Sequence, residues 1–356
     1  MKRLILSITT LLLLAVQVNA QQKASNIHPS PNVTTAVDVE HEVNVHLDAK
    51  EQIDEQERDP QKVKSFSKSF VLDKNDKVNL FNEYGIITIK TWEKNEIKID
   101  AEVKAFANTD SEAQKMLDLV SINASKTGDL VSFITDIDNK NNWNYKGKKR
   151  EVKVYMTVYM PSTNNLKASQ EYGNIIMGDY SGVTSLTVEY GSLTTGDLKS
   201  SSNLIRVEYG SANIRSVNQG KLMTEYGSGI TIGTAGALTI NAEYTNVKIG
   251  VLKGKTVANL EYGKLIADDI HNSISLTAEY STVSLGFNSN FRSSLNVTTN
   301  YGSFKYGPNV SAKLKVAGDE DRYSSNKSYL GDIGKGDNKG GENVIVRSEY
   351  STIVFK

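Results

Sequence analysis

The chain has no cysteine, and among its 356 residues only five prolines, four histidines and two tryptophans. Without cysteine there is no disulfide, no thiol nucleophile and no lipid-modified N-terminal cysteine. His28, His41, His46 and His271 are too scattered to give a zinc-ligand spacing. Lys+Arg 41 balance Asp+Glu 41, so the basic stripe that nucleic acid demands is missing. No phosphate-cradling glycine motif occurs. The stretch from Asp332 to Asn343 carries Gly and Asp but lacks the calcium-loop pattern. These absences argue against a cofactor, a metal or a nucleic-acid partner.

Long apolar runs are also absent after residue 20. Before it, Lys2 and Arg3 precede an apolar stretch from Leu4 to Val16 and a small-residue site, Val18-Asn19-Ala20. That order reads as a secretory signal, residues 1–20, and the stretch is short for a membrane span of about 20 residues. Its removal leaves 39 basic against 41 acidic side chains, a net charge of −2. The expected product is an exported protein, periplasmic or at the cell surface, with no transmembrane segment after cleavage. Residues 21–64 follow as an acidic leader, with nine acidic and four basic residues between Asp38 and Lys64. Within it Val37, Val39, Val43, Val45 and Leu47 alternate with polar residues, as in a half-buried strand.

What is abundant is a motif. Glu-Tyr followed by Gly, Ser or Thr recurs with its tyrosine at Tyr172, Tyr190, Tyr209, Tyr226, Tyr244, Tyr262 and Tyr280, at intervals of 18, 19, 17, 18, 18 and 18. A looser copy stands at Tyr301, and outlying copies at Tyr84 and Tyr350. A constant period near 18 implies one small unit stacked many times. With the tyrosine as position zero, −6, −4 and −2 are mostly apolar, as in Leu238, Ile240 and Ala242, and so are +3 and +5, as in Val247 and Ile249. Period two marks a strand. The change of parity marks a bend, which the sequence places at the Gly-Ser after the tyrosine. The tyrosine then shares the inward face and the glutamate points out.

Two or three short strands closing after about 18 residues describe one rung of a single-stranded parallel β-helix, an all-β solenoid expected to be right-handed. Residues 65–165 read as an irregular β-rich N-terminal cap with one helix, signalled by Thr109 and Glu112 as a capping box and by the apolar face of Ala113, Met116, Leu117 and Val120. Residues 166–356 read as the repeat domain, with a polar insert at 318–343 expected to be an exposed loop and Tyr350 on a last rung beyond it.

Chemistry is sparse. Asp179 and Asp197 are 18 apart and would stack on adjacent rungs, with Asp268 and Asp269 further along. A β-helix hydrolase needs a cluster of acids in a groove, but short loops here offer no cleft walls. The glutamates Glu171, Glu189, Glu208, Glu225, Glu243, Glu261 and Glu279 form a column of like charge. Such a column is either solvated or lined by a cation or a polyhydroxy ligand. The tyrosines Tyr172 to Tyr301 are packing residues, or a sugar platform if their rings lie outside.

The repeated Glu-Tyr-Gly-Ser rungs, the early copy Asn82-Glu83-Tyr84-Gly85-Ile86 and the strand from Val152 to Pro161 leading to Leu166 resemble the bacterial putative-adhesin β-helix domains of unknown function. They are similar to head-GIN-type autotransporter adhesins of Bacteroidetes. The resemblance spans about Phe66 to Lys356. It implies an exported, non-enzymatic solenoid and supplies no catalytic residues. The expected function is adhesion or cell-envelope interaction through a flat Glu/Ser/Thr/Asn face, with a cell-surface glycan or envelope protein as partner. The alternative is a polysaccharide-binding module, or a polysaccharide-degrading enzyme using Asp179 and Asp197.

Overall fold

Alternating apolar residues interrupted every nine or so positions by a bend produce short strands, and the computed structural model is all-β with one helix among the described residues. The structure describes residues 62–138, 150–315, 325–334 and 343–356. The signal, almost all of the acidic leader with its alternating valines, and the loop after Asp138 lie outside the described residues.

The first section comprises β1 (Lys62–Val71), β2 (Lys77–Thr91), β3 (Glu96–Phe106), α1 (Asp110–Asp118), β4 (Val120–Thr127), β5 (Leu130–Ile137) and β6 (Glu151–Met160). Thr109 caps α1, its side chain accepting from the Glu112 N–H. Ala113, Met116 and Leu117 then pack with Val103, Ala105, Val152 and Val154. β2 contains the Tyr84 copy of the motif, and its two halves part. Lys77–Phe81 pairs in parallel with β5, whereas Gly85–Thr91 pairs in parallel with β6. β3 lies antiparallel to both β1 and β6. Where later repeats bury an apolar residue before the tyrosine, Asn82 donates to Val154 O at 3.2 Å and to Gln170 Oε1 at 2.9 Å, and accepts from Thr135 at 2.9 Å. The Asn82 amide is thereby satisfied on both its nitrogen and its oxygen, as burial requires.

The repeat region runs through β7 (Asn165–Met177), β8 (Thr184–Glu189), β9 (Ser192–Leu198), β10 (Asn203–Glu208), β11 (Ser211–Glu225), β12 (Gly229–Glu243), β13 (Asn246–Leu252), β14 (Thr256–Glu261), β15 (Lys264–Ile270), β16 (Ile274–Glu279) and β17 (Thr282–Phe287). Each repeat contributes a segment before its tyrosine and one after it. Both pair in parallel with the same segments of the next repeat, as in Ile240↔Ala258↔Leu276 and Val247↔Leu265↔Val283. β7 and β11 each carry two such segments, so hydrogen bonding also closes a ring through β7, β8, β10, β11 and β9. The interior is a continuous apolar cluster of Leu, Ile, Val and Ala from successive repeats.

The end departs from sequential order. β18 (Ser293–Asn300) and β19 (Ser303–Tyr306) carry Tyr301; β20 (Val310–Lys315) and β21 (Asn326–Ile333) follow; β22 (Asn343–Glu349) and β23 (Thr352–Phe355) carry Tyr350. β22 pairs in parallel with β16 on one side and with β18 on the other. β23 likewise lies between β17 and β19. The Tyr350 repeat is therefore inserted between those of Tyr280 and Tyr301, not added beyond them. The region expected to be an exposed loop supplies β21, antiparallel to β18 and to β20. This hairpin covers the edge that β18 would otherwise expose.

Candidate binding face

The corner of each repeat is made by the tyrosine itself. Tyr190, Tyr209, Tyr226, Tyr244, Tyr262, Tyr280, Tyr301 and Tyr350 have φ between 47° and 52°, the left-handed region that costs a non-glycine residue about 1–2 kcal/mol. In the copies at Tyr84 and Tyr172 the positive φ falls instead on Gly85, at 122°, and Gly173, at 144°. The positive φ thus falls on the glycine only in those two copies, where Ile86 and Asn174 follow it, and on the tyrosine in the Gly-Ser copies. The conformation is held by the neighbouring strand: the N–H groups of Tyr190 to Tyr280 donate to glutamate carbonyls, as from Tyr244 to Glu261 at 2.9 Å and from Tyr280 to Glu349 at 3.0 Å, while Tyr350 donates to Asn300 O and Tyr301 to Ser325 O.

A left-handed residue breaks period-two alternation. Ala242 and Val247 stay inside, while Tyr244 turns out and is 43% exposed. The rings expected on the inward face therefore lie outside. They form one uninterrupted stack in the order Tyr84, Tyr172, Tyr190, Tyr209, Tyr226, Tyr244, Tyr262, Tyr280, Tyr350, Tyr301, with centroids 4.8 to 5.2 Å apart and planes 2° to 10° from parallel. That spacing leaves no room for a sugar ring between neighbours. What the stack offers outward is ring edges and a row of phenols. Burial, then neighbouring tyrosines and glutamates, pushes the phenols of Tyr209, Tyr244 and Tyr280 above their ordinary range. They stay protonated donors at neutral pH.

Beside them run the glutamates. Glu189, Glu208, Glu225, Glu243, Glu261, Glu279 and Glu349 are partners in consecutive parallel pairs, about 4.8 Å apart. Two positions earlier on the same face stand Arg206, Met223, Asn241, Asn259 and Thr277. Arg206 donates to Glu208 at 3.0 Å and Asn259 to Asn241 at 3.1 Å. Together the two rows line a shallow trough of about 410 Å³ between Arg206 and Glu279. Glu171 precedes the row, one residue before Tyr172.

Asp179 and Asp197 do come together, at a different corner. Arg215, which sequence reasoning passed over, donates to both, to Asp197 Oδ1 at 2.8 Å, and Lys199 lies 3.4 Å from Asp179. The Arg215 hydrogen bond holds the Asp197 carboxyl below the usual carboxylate range, with Ser216 adding to it. Asp269 contacts His271 at 2.6 Å and Asn288 at 3.2 Å, and Asp268 faces Lys248 at 3.9 Å. Among the described residues no cluster of three or more acidic or histidine side chains could hold a metal ion. No described helix is long and apolar enough to cross a membrane.

Comparison with known proteins places this chain beside crystal structures described as putative adhesins. One from Bacteroides fragilis is 8% identical, covers 82% of this chain and 97% of its own, and has a TM-score of 0.35. Another, from Parabacteroides merdae, is 11% identical, covers 63% of this chain and 90% of its own, and has a TM-score of 0.40. A protein from Parabacteroides distasonis described as a putative lipid binding protein is 8% identical, with 82% and 96% covered and a TM-score of 0.40. No family model matches the chain, and no curated protein does.

Proposed function

We propose that this protein is an exported, non-enzymatic β-solenoid that binds an extended polymer, a cell-surface glycan or a segment of an envelope protein, along its glutamate-lined face. Each repeat is one rung of the coil, and the general hand of parallel crossovers makes the coil right-handed. The observation that carries the reading is the unbroken register of the carboxylates from Glu189 to Glu349 beside a continuous row of phenols. Carboxylates accept, phenols donate, and Asn241, Asn259 and Thr277 do both. A linear partner with repeating hydroxyl or amide groups meets the same donors and acceptors at every rung.

Because the ring faces are spent on one another, the chemistry is that of hydrogen bonding to ring edges and acids rather than stacking. A hydrolase would require one carboxyl protonated and a second poised as base or nucleophile. Arg215 favours the ionised form of Asp197 and bonds Asp179 as well, which supports a structural role for the pair. Export rests on the sequence of residues 1–20.

A glycan and envelope-extract array tests this. The mature protein is expected to bind a ligand that E225Q/E243Q/E261Q loses and D179N/D197N retains. Loss of binding, or of any depolymerising activity, confined to D179N/D197N would instead support the hydrolase.

A further inference from the structure

The C-terminal strand pair occupies a slot that the preceding chain leaves open. Between β13 and β14 and between β15 and β16, three residues carry the chain up one rung; between β17 and β18 there are five, 288–292. Two extra residues reach up to about 7 Å further, enough for one more strand spacing of about 4.8 Å. The interval from Tyr280 to Tyr301 is accordingly longer than the steps from Tyr244 to Tyr262 and from Tyr262 to Tyr280. The link is long enough to skip one strand position.

The skipped position is filled by β22 and β23. Val344, Val346, Ile353 and Phe355 are all at most 1% exposed there. Phe355 sits edge-on to Phe287 at 5.0 Å and to Phe304 at 4.9 Å, closing the core from both sides. Tyr350 completes the ring stack. Without this segment, the upper edges of β16 and β17 and the lower edges of β18 and β19 would present unpaired backbone groups, a state that invites another strand. The segment enters from outside. β21 ends opposite Ser293 on one side of β18, and β22 begins opposite Ser294 on the other. The eight residues between Gly334 and Asn343 extend to at most about 29 Å, a tether that allows β22 and β23 to enter a neighbouring molecule as well as their own.

We propose that Asn343–Phe355 is a detachable rung, and that its slot is a homotypic docking site filled in trans by the same segment of a second copy. The occupant is a second copy because that segment alone reproduces both registers, the aromatic plug and the tyrosine stack without any new interface. Reciprocal exchange joins two solenoids at their C-terminal ends and leaves the glutamate face of each intact. This rests on strand order and stands apart from whichever ligand the face binds.

The chain's lack of cysteine makes the test clean. Ser294 and Asn343 are register partners at the surface and are hydrogen-bonded to each other. Full mature chains carrying S294C alone and N343C alone are unfolded together, refolded at low and high protein concentration, and oxidised. Exchange gives a mixed S294C–N343C disulfide dimer, several-fold in excess of either same-variant dimer and increasing with concentration. A mixed dimer no more abundant than the same-variant dimers at every concentration overturns the proposal. As a second reading, a chain lacking residues 336–341 is expected to elute as a dimer, because the two residues left between Gly334 and Asn343 are too few to carry the chain around β18 within one molecule. A folded monomer of that variant would also overturn it.

Discussion

Tyr350 stacks on Tyr280 with ring centroids 4.9 Å apart and planes 6° from parallel, although everything from β17 to β22 separates them along the chain. Tyr301, far nearer to Tyr280 in sequence, lies beyond Tyr350 on its far side. The ladder is continuous in space and discontinuous in sequence, and the protein's stability at this end depends on a segment that arrives last.

Tyrosine at a left-handed corner is a compromise. Each inner ring has two stacking partners, worth about 0.5–1.5 kcal/mol apiece, against a conformational cost of about 1–2 kcal/mol. Tyr244→Gly loses the partners but relieves the backbone. Tyr244→Val loses the partners and places a β-branched residue at φ near 47°. Urea unfolding is expected to find Tyr244→Val at least about 1 kcal/mol less stable than Tyr244→Gly, and both below the parent.

Phe355 is the plug of the inserted repeat. Phe355→Ala leaves a cavity between Phe287 and Phe304 and is expected to cost about 3–5 kcal/mol. The measurement is again urea unfolding. Hydrogen exchange should rise first in β22, β23, β18 and β19, leaving β7 to β15 protected.

Asp76 gives an acid-side dependence. Its carboxylate accepts from Lys126 Nζ at 2.7 Å and from the Asp73 N–H at 2.8 Å, and these bonds, the Lys126 one foremost, lower its pKa below the ordinary aspartate value. The unfolded chain therefore binds a proton more readily than the folded one. The stability Asp76 contributes is present above its unfolded pKa of about 3.9 and is lost as pH falls through the folded value. Asp76→Asn is expected to be destabilised at pH 7, with the gap to the parent narrowing on acidification below about pH 4. A constant gap from neutral to acid would rule out this role.

The glutamate row repels itself, each neighbouring pair by about 1 kcal/mol at 4 Å in water. Salt shortens the screening length from about 10 Å at 0.1 M to about 3 Å at 1 M. The parent's unfolding midpoint is expected to rise over that range in NaCl, and that of E225Q/E243Q/E261Q to rise less. The triple variant should be the more stable of the two at low salt.

How much of this is legible in the sequence depends on range. The apolar positions flanking each tyrosine are read from periodicity because burial selects them rung by rung, and Leu238, Ile240, Ala242, Val247 and Ile249 are indeed interior. The helix start at Thr109 is read from a local capping signal. The direction of the tyrosine ring is not legible that way. It depends on one dihedral, and a left-handed residue reverses the face that alternation assigns. The Asp179–Arg215–Asp197 bridge is half visible: the repeat interval aligns the acids, but the arginine enters from the following repeat with no motif of its own. The place of Tyr350 is the hardest, since β22 pairs with β16 across the whole of β17 to β21. The only local hint is the lengthened interval before Tyr301.

The most direct measurement uses engineered cysteines on the outer face, where Thr277, Arg347 and Thr298 are successive register partners. Adjacent parallel strands lie about 4.8 Å apart, within disulfide reach, whereas two spacings exceed the limit of about 7 Å between Cα atoms. On mild oxidation, T277C/R347C and R347C/T298C are expected to form intramolecular bridges while T277C/T298C stays reduced. Efficient bridging of T277C/T298C, with R347C unable to reach T277C, would place the Tyr350 repeat outside the Tyr301 repeat and contradict the inserted order.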